Sequence, residues 1–184
     1  MEERVMIFID GANLFHGCKN HEKGYRVDIL KLKDELVDNR KLIRAYYYGS
    51  IPTDDKNKYG SQKKFFDMLE YEGFTVSVIP LKQRRGKYTC ENCGKENEIK
   101  KEVEKGVDIA LATDMISFGI NDHYDTAIVV SGDYDYFRAV EEIQRNGKRV
   151  EIAYFRNDGI SEKFIRCADK FLALDEISDK IKKN

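Results

Sequence analysis

Four aspartates stand where a side-chain carboxylate can do chemistry. Asp10 closes the apolar run Val5-Met6-Ile7-Phe8-Ile9. Asp108 stands near the head of an apolar periodic stretch. Asp133 and Asp135 follow Ile128-Val129-Val130-Ser131-Gly132. Taken singly, Asp108 and Asp133 have an ordinary explanation, because an Asp just before a helix caps free backbone N–H groups. Taken together the four pose an electrostatic problem. Three or four carboxylates in one crevice repel one another, and their pKa values rise unless a cation neutralises them. A hard divalent ion held by oxygen ligands does so, and Mg²⁺ keeps waters and takes phosphate oxygens as further ligands. Such a site activates a water and stabilises the leaving oxygen in phosphodiester hydrolysis.

That chemistry needs elements that bring distant residues together. Residues 5–9 and 128–130 are continuous and apolar, as strands covered on both faces require. Gly132 permits a sharp exit, Val140 and Ile143 then fall at helical spacing after Phe137, and Gly147 ends the pattern. Further strands are expected over 42–51, with Tyr46, Tyr47 and Tyr48 as strand packing, and over 74–81, 126–131, 150–155 and 171–174. Between them fall a loop or short helix from Asn13 to Cys18 and a helix marked by Val27, Leu30, Leu32, Leu36 and Val37. A helix over 54–72 turns Phe65, Phe66, Met68 and Leu69 inward and stops at Gly73. Two further helices cover 107–118, opened by Lys105-Gly106, and 160–168, on either side of the one that follows Phe137. The alternation predicts an α/β three-layer sandwich with a central, mostly parallel sheet and right-handed crossovers. Ligands bind such sheets beyond the carboxyl ends of the strands. With strands 5–9 and 126–131 as central neighbours, Asp10 and Asp133 face each other. Asp108 precedes Leu111, Ala112 and Met115 by three, four and seven residues, which puts it on the sheet-facing side of its helix.

Residues 82–105 break the rhythm and read as a protruding hairpin or loop. Lys82, Arg84, Arg85, Lys87, Lys100, Lys101 and Lys105 make it basic, and Tyr88 adds a stacking face. That suits a phosphate backbone. Glu91, Glu96, Glu98, Glu102 and Glu104 dilute the charge, so a solvated mixed-charge loop is the competing reading. Cys90 and Cys93 resemble half of a zinc ribbon, and a tetrahedral site needs four ligands. The alternatives are a Zn²⁺ site shared across a homodimer and a plain turn. Arg138 either reaches a phosphate or pairs with Asp135. The three His show no ligand spacing.

The 184 residues, 41% hydrophobic, suit one domain over 1–184 with an insertion at 82–105. A formal net charge of −1 gives no global attraction to polyanions. No apolar run is long enough to span a bilayer, so no membrane partner is expected. The first residues lack a signal-peptide pattern, and four Cys do not make a disulfide framework. A cytoplasmic location is the expectation.

Phe8-Ile9-Asp10-Gly11-Ala12-Asn13, Lys105-Gly106-Val107-Asp108-Ile109-Ala110-Leu111 and Val130-Ser131-Gly132-Asp133-Tyr134-Asp135-Tyr136-Phe137 resemble, in order, the three signature blocks of NYN domains. The closest resemblance is to the LabA-like branch of the PIN-like nuclease superfamily. It implies a sheet order of 3-2-1-4-5 with a short sixth strand, and ribonuclease chemistry dependent on Mg²⁺ or Mn²⁺ with RNA as partner. By that resemblance Asp10, Asp108, Asp133 and Asp135 are the catalytic acids and metal ligands, and Asn13 and Ser131 lie beside them on the substrate side. Lys105 and Arg138 are the candidate phosphate contacts. The family implies a further Glu from an early helix, for which Asp67 and Glu70 are candidates. The alternative function is a non-catalytic RNA-binding or regulatory module of the same fold. A phosphatase of the haloacid dehalogenase type ranks below both, since it needs an Asp where Ala12 stands. No Gly-x-Gly-x-x-Gly follows the first strand, which disfavours a Rossmann dinucleotide binder.

Overall fold

Strand β1 (Arg4–Asp10) is the axis of the molecule, and its side chains alternate between two cores. The computed structural model describes residues 2–52, 56–89, 93 and 95–183. After β1 come α1 (Gly11–His21), α2 (Ile29–Val37), β2 (Lys41–Ile51), α3 (Lys56–Tyr71) and β3 (Thr75–Pro80). A hairpin of β4 (Lys82–Thr89) and β5 (Glu96–Val103) follows, then α4 (Val107–Ile120) and β6 (Thr126–Val130). A single 3-10 turn (Tyr134–Tyr136) leads into α5 (Phe137–Arg145), β7 (Arg149–Tyr154), α6 (Glu162–Cys167), β8 (Lys170–Ala173) and α7 (Ser178–Ile181).

Six strands form one sheet in the order β3-β2-β1-β6-β7-β8, with every neighbouring pair parallel. With the two hairpin strands set aside, this is the expected order 3-2-1-4-5 with a short sixth strand. Val5, Ile7 and Ile9 pack with Leu14, Leu32 and Leu69 from the first three helices. Met6 and Phe8 turn to the other face and meet Leu111, Met115, Val140 and Ile143 from α4 and α5. Strands covered on both faces carry continuous apolar runs, and in β1 and β6 all residues but Arg4 are buried. Just before β2, Arg40 clamps Glu151 of β7 through two hydrogen bonds, 2.9 and 3.1 Å, beneath the first core. Among the described residues no helix is long and apolar enough to cross a membrane.

Two local expectations are revised, and a third is tested only in part. Residues 13–18 lie inside an eleven-residue helix that begins at Gly11, because the Asp10 carboxylate accepts the Asn13 N–H and caps it. In α3, Phe66 and Leu69 are buried but Met68 is 36% exposed, one position off the inward stripe. The helix expected from 54 is described only from Lys56, since residues 53–55 lie outside the described set.

The hairpin is a separate two-stranded antiparallel sheet, in register from Lys82 opposite Val103 to Thr89 opposite Glu96. Gly106 then takes a left-handed φ of 104°, a conformation that disfavours side chains, and starts α4 at that point.

Candidate active site

The parallel pairing of β1 with β6 sets Ile9 opposite Val130, so the chain exits of both strands share one edge of the sheet. Asp10 is 3% exposed there, although it carries a carboxylate. The exit of β6 is held by hydrogen bonds. The Gly132 N–H donates to Asn13 Oδ1 at 2.7 Å, and the Asp133 N–H donates to the buried Ser131 Oγ at 3.2 Å. The Tyr154 hydroxyl donates to the Asp158 carboxylate and also lies 3.1 Å from the Asn13 carbonyl. A Cβ on Gly132 would stand 2.3 Å from the Tyr154 ring, so only glycine fits this close approach. Asp133 caps the 3-10 turn by accepting the Asp135 N–H at 2.9 Å.

Asp108 enters from the second turn-forming segment. Gly106 is the N-cap of α4 and makes no side-chain cap bond, so Asp108 is not the capping residue and its side chain is free for other partners. The Tyr136 hydroxyl lies 3.0 Å from Asp10 Oδ2 and 3.3 Å from Asp108 Oδ1. Tyr136 is 1% exposed. A phenol has a single proton to donate, so it satisfies one carboxylate fully and the second only by sharing.

The electrostatics follow from burial and like charge. Burial pushes the Asp10 carboxyl up to about 6; the Asn13 N–H and the Tyr136 hydroxyl oppose this, while the charges of Asp108 and Glu104 add to it. Asp108 is also raised, by burial first and then by Asp133 and Asp135. Burial and the neighbouring Asp10 and Asp108 charges hold the Tyr136 phenol far above its usual range, so it stays protonated and remains a donor.

The structure therefore gathers Asp10, Asp108 and Tyr136 by direct contact, with the charges of Asp133 and Asp135 close enough to act on Asp108. Asp133 is half-buried, and Asp108 and Asp135 are exposed; Asp108 therefore does not share the buried sheet-facing stripe of α4, which runs through Val107, Leu111 and Met115, as its spacing had suggested. Among the described residues no set of three or more His, Cys, Asp or Glu side chains is close enough to hold a metal ion. The Tyr136 hydroxyl stands between the Asp10 and Asp108 carboxylates. Asn13 and Ser131 spend their side-chain oxygens on the β6 exit. Lys105 is exposed at the foot of the hairpin. Arg138 pairs with Glu141 at 2.8 Å, three residues along α5, and not with Asp135. Asp67 pairs with Lys63 on the exposed side of α3, and Glu70 is exposed.

Cys90 lies outside the described residues, and Cys93 is exposed. Cys18 packs in the core of one sheet face and Cys167 against the core of the other, so these two do not jointly complete a zinc site with Cys93. Two residues escaped the sequence reading. Tyr136 has no role in the sequence reading beyond its place in the third signature block; its signal is that a buried phenol needs a hydrogen-bond partner and that acids flank it in sequence. Glu104 was counted as hairpin charge, yet it acts on Asp10 and helps line a cleft of roughly 760 Å³ between α1, the end of β2 and the start of α3. Phe15, Phe65, Arg26, Lys58 and Ser50 also line that cleft, which begins at Gly11, next to Asp10.

A doubly covered parallel sheet with acids gathered at the carboxyl ends of its two central strands has a known counterpart. The NYN domain family model matches residues 4–175, and the chain belongs to that family. Within it, the chain is 28% identical over 185 residues to the low amplitude and bright protein LabA of Synechococcus elongatus, a match covering 98% of this chain and 88% of LabA. The crystal structure of VPA0982, a protein of unknown function from Vibrio parahaemolyticus, is similar with a TM-score of 0.72 at 25% identity. That match covers 99% of this chain and 97% of the other.

Proposed function

We propose that this chain is a ribonuclease dependent on Mg²⁺ or Mn²⁺, with its centre at Asp10 and Asp108. The observation that carries the reading is a carboxylate 3% exposed whose nearest charged neighbours are also acids, the situation that a divalent cation relieves. The donor set fits. Mg²⁺ is commonly held by one or two carboxylates plus substrate phosphates and keeps several waters, so a three-acid cage is not required. A divalent ion held by Asp10 and Asp108 would supply charge neutralisation, water activation and stabilisation of the leaving oxygen.

The chain's own groups do the rest. Asp10 and Asp108 would hold the ion, and the charges of Asp133 and Asp135 deepen the negative field at Asp108. Tyr136 holds a proton between Asp10 and Asp108 and fixes their spacing. Asn13 and Ser131 position the β6 exit, and with it Asp133. Lys105 contributes positive charge for an RNA phosphate. The test is cleavage of labelled RNA with Mn²⁺ and with EDTA, comparing the parent with Asp10→Asn and Asp133→Asn. Loss of cleavage in both folded variants is expected; full activity in both overturns the assignment. A non-catalytic RNA-binding module is the second reading, favoured by the Tyr136 hydroxyl standing between Asp10 and Asp108. It predicts RNA binding with no metal-stimulated cleavage.

A further inference from the structure

The hairpin is basic by composition: β4 carries Lys82, Arg84, Arg85 and Lys87 with no acid, and β5 sets Lys100 and Lys101 among Glu96, Glu98 and Glu102. Its register sorts them. In an antiparallel ladder, directly paired residues share a face and successive residues alternate. Positions 82, 84, 86 and 88 therefore share a face with 103, 101, 99 and 97. That face carries Lys82, Arg84 and Lys101, together with Tyr88, Ile99 and Val103, and no acid. The other face holds Arg85, Lys87 and Lys100 against Glu96, Glu98 and Glu102, a balanced set. The Lys87 ammonium pairs with Glu96 there at 3.2 Å, so neutralisation on that side is realised in contact.

On the acid-free face Arg84 stands directly opposite Lys101. The register thus sets two cationic positions side by side on the acid-free face, the arrangement a polyanion complements. Lys82 and Arg84 are exposed. Cations interleaved with an aromatic and two aliphatic residues are the composition of a surface that tracks a phosphate backbone and offers apolar contact to bases. The strand leads on through Glu104 and the exposed Lys105 to Gly106, two residues before Asp108.

We propose that the acid-free face of the β4–β5 hairpin grips the phosphate backbone of single-stranded RNA and delivers it to the acidic centre. The inference rests on the ribonuclease reading for its substrate, but it is a statement about binding alone. It is tested by fluorescence anisotropy with a labelled single-stranded RNA of roughly 16 nucleotides, the upper span of a single-strand site, in EDTA and in the full-length Asp10→Asn background, so that cleavage plays no part. The triple variant Lys82→Glu, Arg84→Glu, Lys101→Glu is compared with Arg85→Glu, Lys87→Glu, Lys100→Glu, which makes the same charge change on the opposite face. Each phosphate contact on a single strand contributes about 0.7 to the slope of log affinity against log salt. The first triple should flatten the slope by about 2 and weaken binding roughly 100-fold at about 50 mM salt. The second should leave both nearly at the parent's values. Glutamine versions of each triple, with circular dichroism on all variants, guard against misfolding. Equal effects from the two triples, no effect from the first, or no RNA binding by the parent overturns the proposal, as does face-dependent binding to phosphatidylserine vesicles in place of RNA. Face-dependent RNA binding by a parent that never cleaves would leave this inference standing and remove the catalytic reading. A cleaving parent with indifferent triples does the reverse.

Discussion

Replacing Asp10 by Asn should stabilise the metal-free protein at neutral pH, and the gain should depend on pH. The folded state raises this carboxyl from an ordinary value of 3.8 to about 6. A raised carboxyl pKa means that folding favours the protonated form. Its contribution is fully present below about 3.8 and is lost as pH rises through about 6. Two units at 1.36 kcal/mol each make the ionised Asp10 cost roughly 3 kcal/mol at pH 7.5. Asparagine is neutral throughout. Its side-chain oxygen still accepts the Asn13 N–H, and its NH₂ donates to the Tyr136 oxygen. The stability difference between variant and parent should therefore grow by about 2 to 3 kcal/mol between pH 4 and pH 7.5. In a chain of this size that corresponds to a rise in Tm of roughly 4–10 °C at the higher pH. The assay is urea and thermal unfolding followed by circular dichroism in EDTA across the pH range. Added Mn²⁺ should then raise the Tm of the parent and not of the variant, since only a ligand that binds the native state stabilises it. A difference that stays flat with pH would mean that Asp10 is not the strained carboxylate the geometry makes it, and the argument for a cation at this edge would lose its base.

Other perturbations give sharper local readouts. Tyr136→Phe keeps the ring but removes the hydrogen bond that lowers Asp10, so the Asp10 titration followed by carbon NMR should move up by about one unit; an unchanged midpoint contradicts the bridge. Gly132→Ala forces a Cβ into the Tyr154 ring, and urea unfolding should show a loss of about 1–3 kcal/mol together with weaker RNA cleavage. Asn13→Ala leaves the Gly132 N–H without its acceptor and should cost about 1–3 kcal/mol by the same measurement, while Asn13→Asp, which keeps an acceptor oxygen, should cost less. Arg40→Ala strands the buried Glu151 carboxylate, for an expected loss of about 3–5 kcal/mol by denaturation.

What sequence could and could not reveal follows from the range of each interaction. The runs in β1 and β6 were legible because a strand covered on both faces has nowhere to place a polar residue, and Asp10 and Asp133 were legible as the points where those runs stop. Helix α1 was obscured because Phe15, 65% exposed, lies outside its narrow stripe of Leu14 and Cys18. Its cap, Asp10, had also been counted as chemistry alone, and it serves as both. Arg138 offers the opposite lesson: Glu141 stands three residues ahead on the same helix, a local pairing rule that should have outranked Asp135. The Tyr136 bridge and the reach of Glu104 depend on tertiary placement, and no spacing in the chain encodes them. The charge sorting of the hairpin lay in between, since it needed one fact, the ladder register, to become visible.

The hairpin's two strands pair only with each other and share no ladder with the six-stranded sheet. Its tip or its entire arm can therefore lengthen, shrink or change charge between lineages without altering the register of a single core strand. If the hairpin grips RNA as proposed, grip and acidic centre are separately heritable, and an arm grafted from one relative onto another should carry its binding preference along.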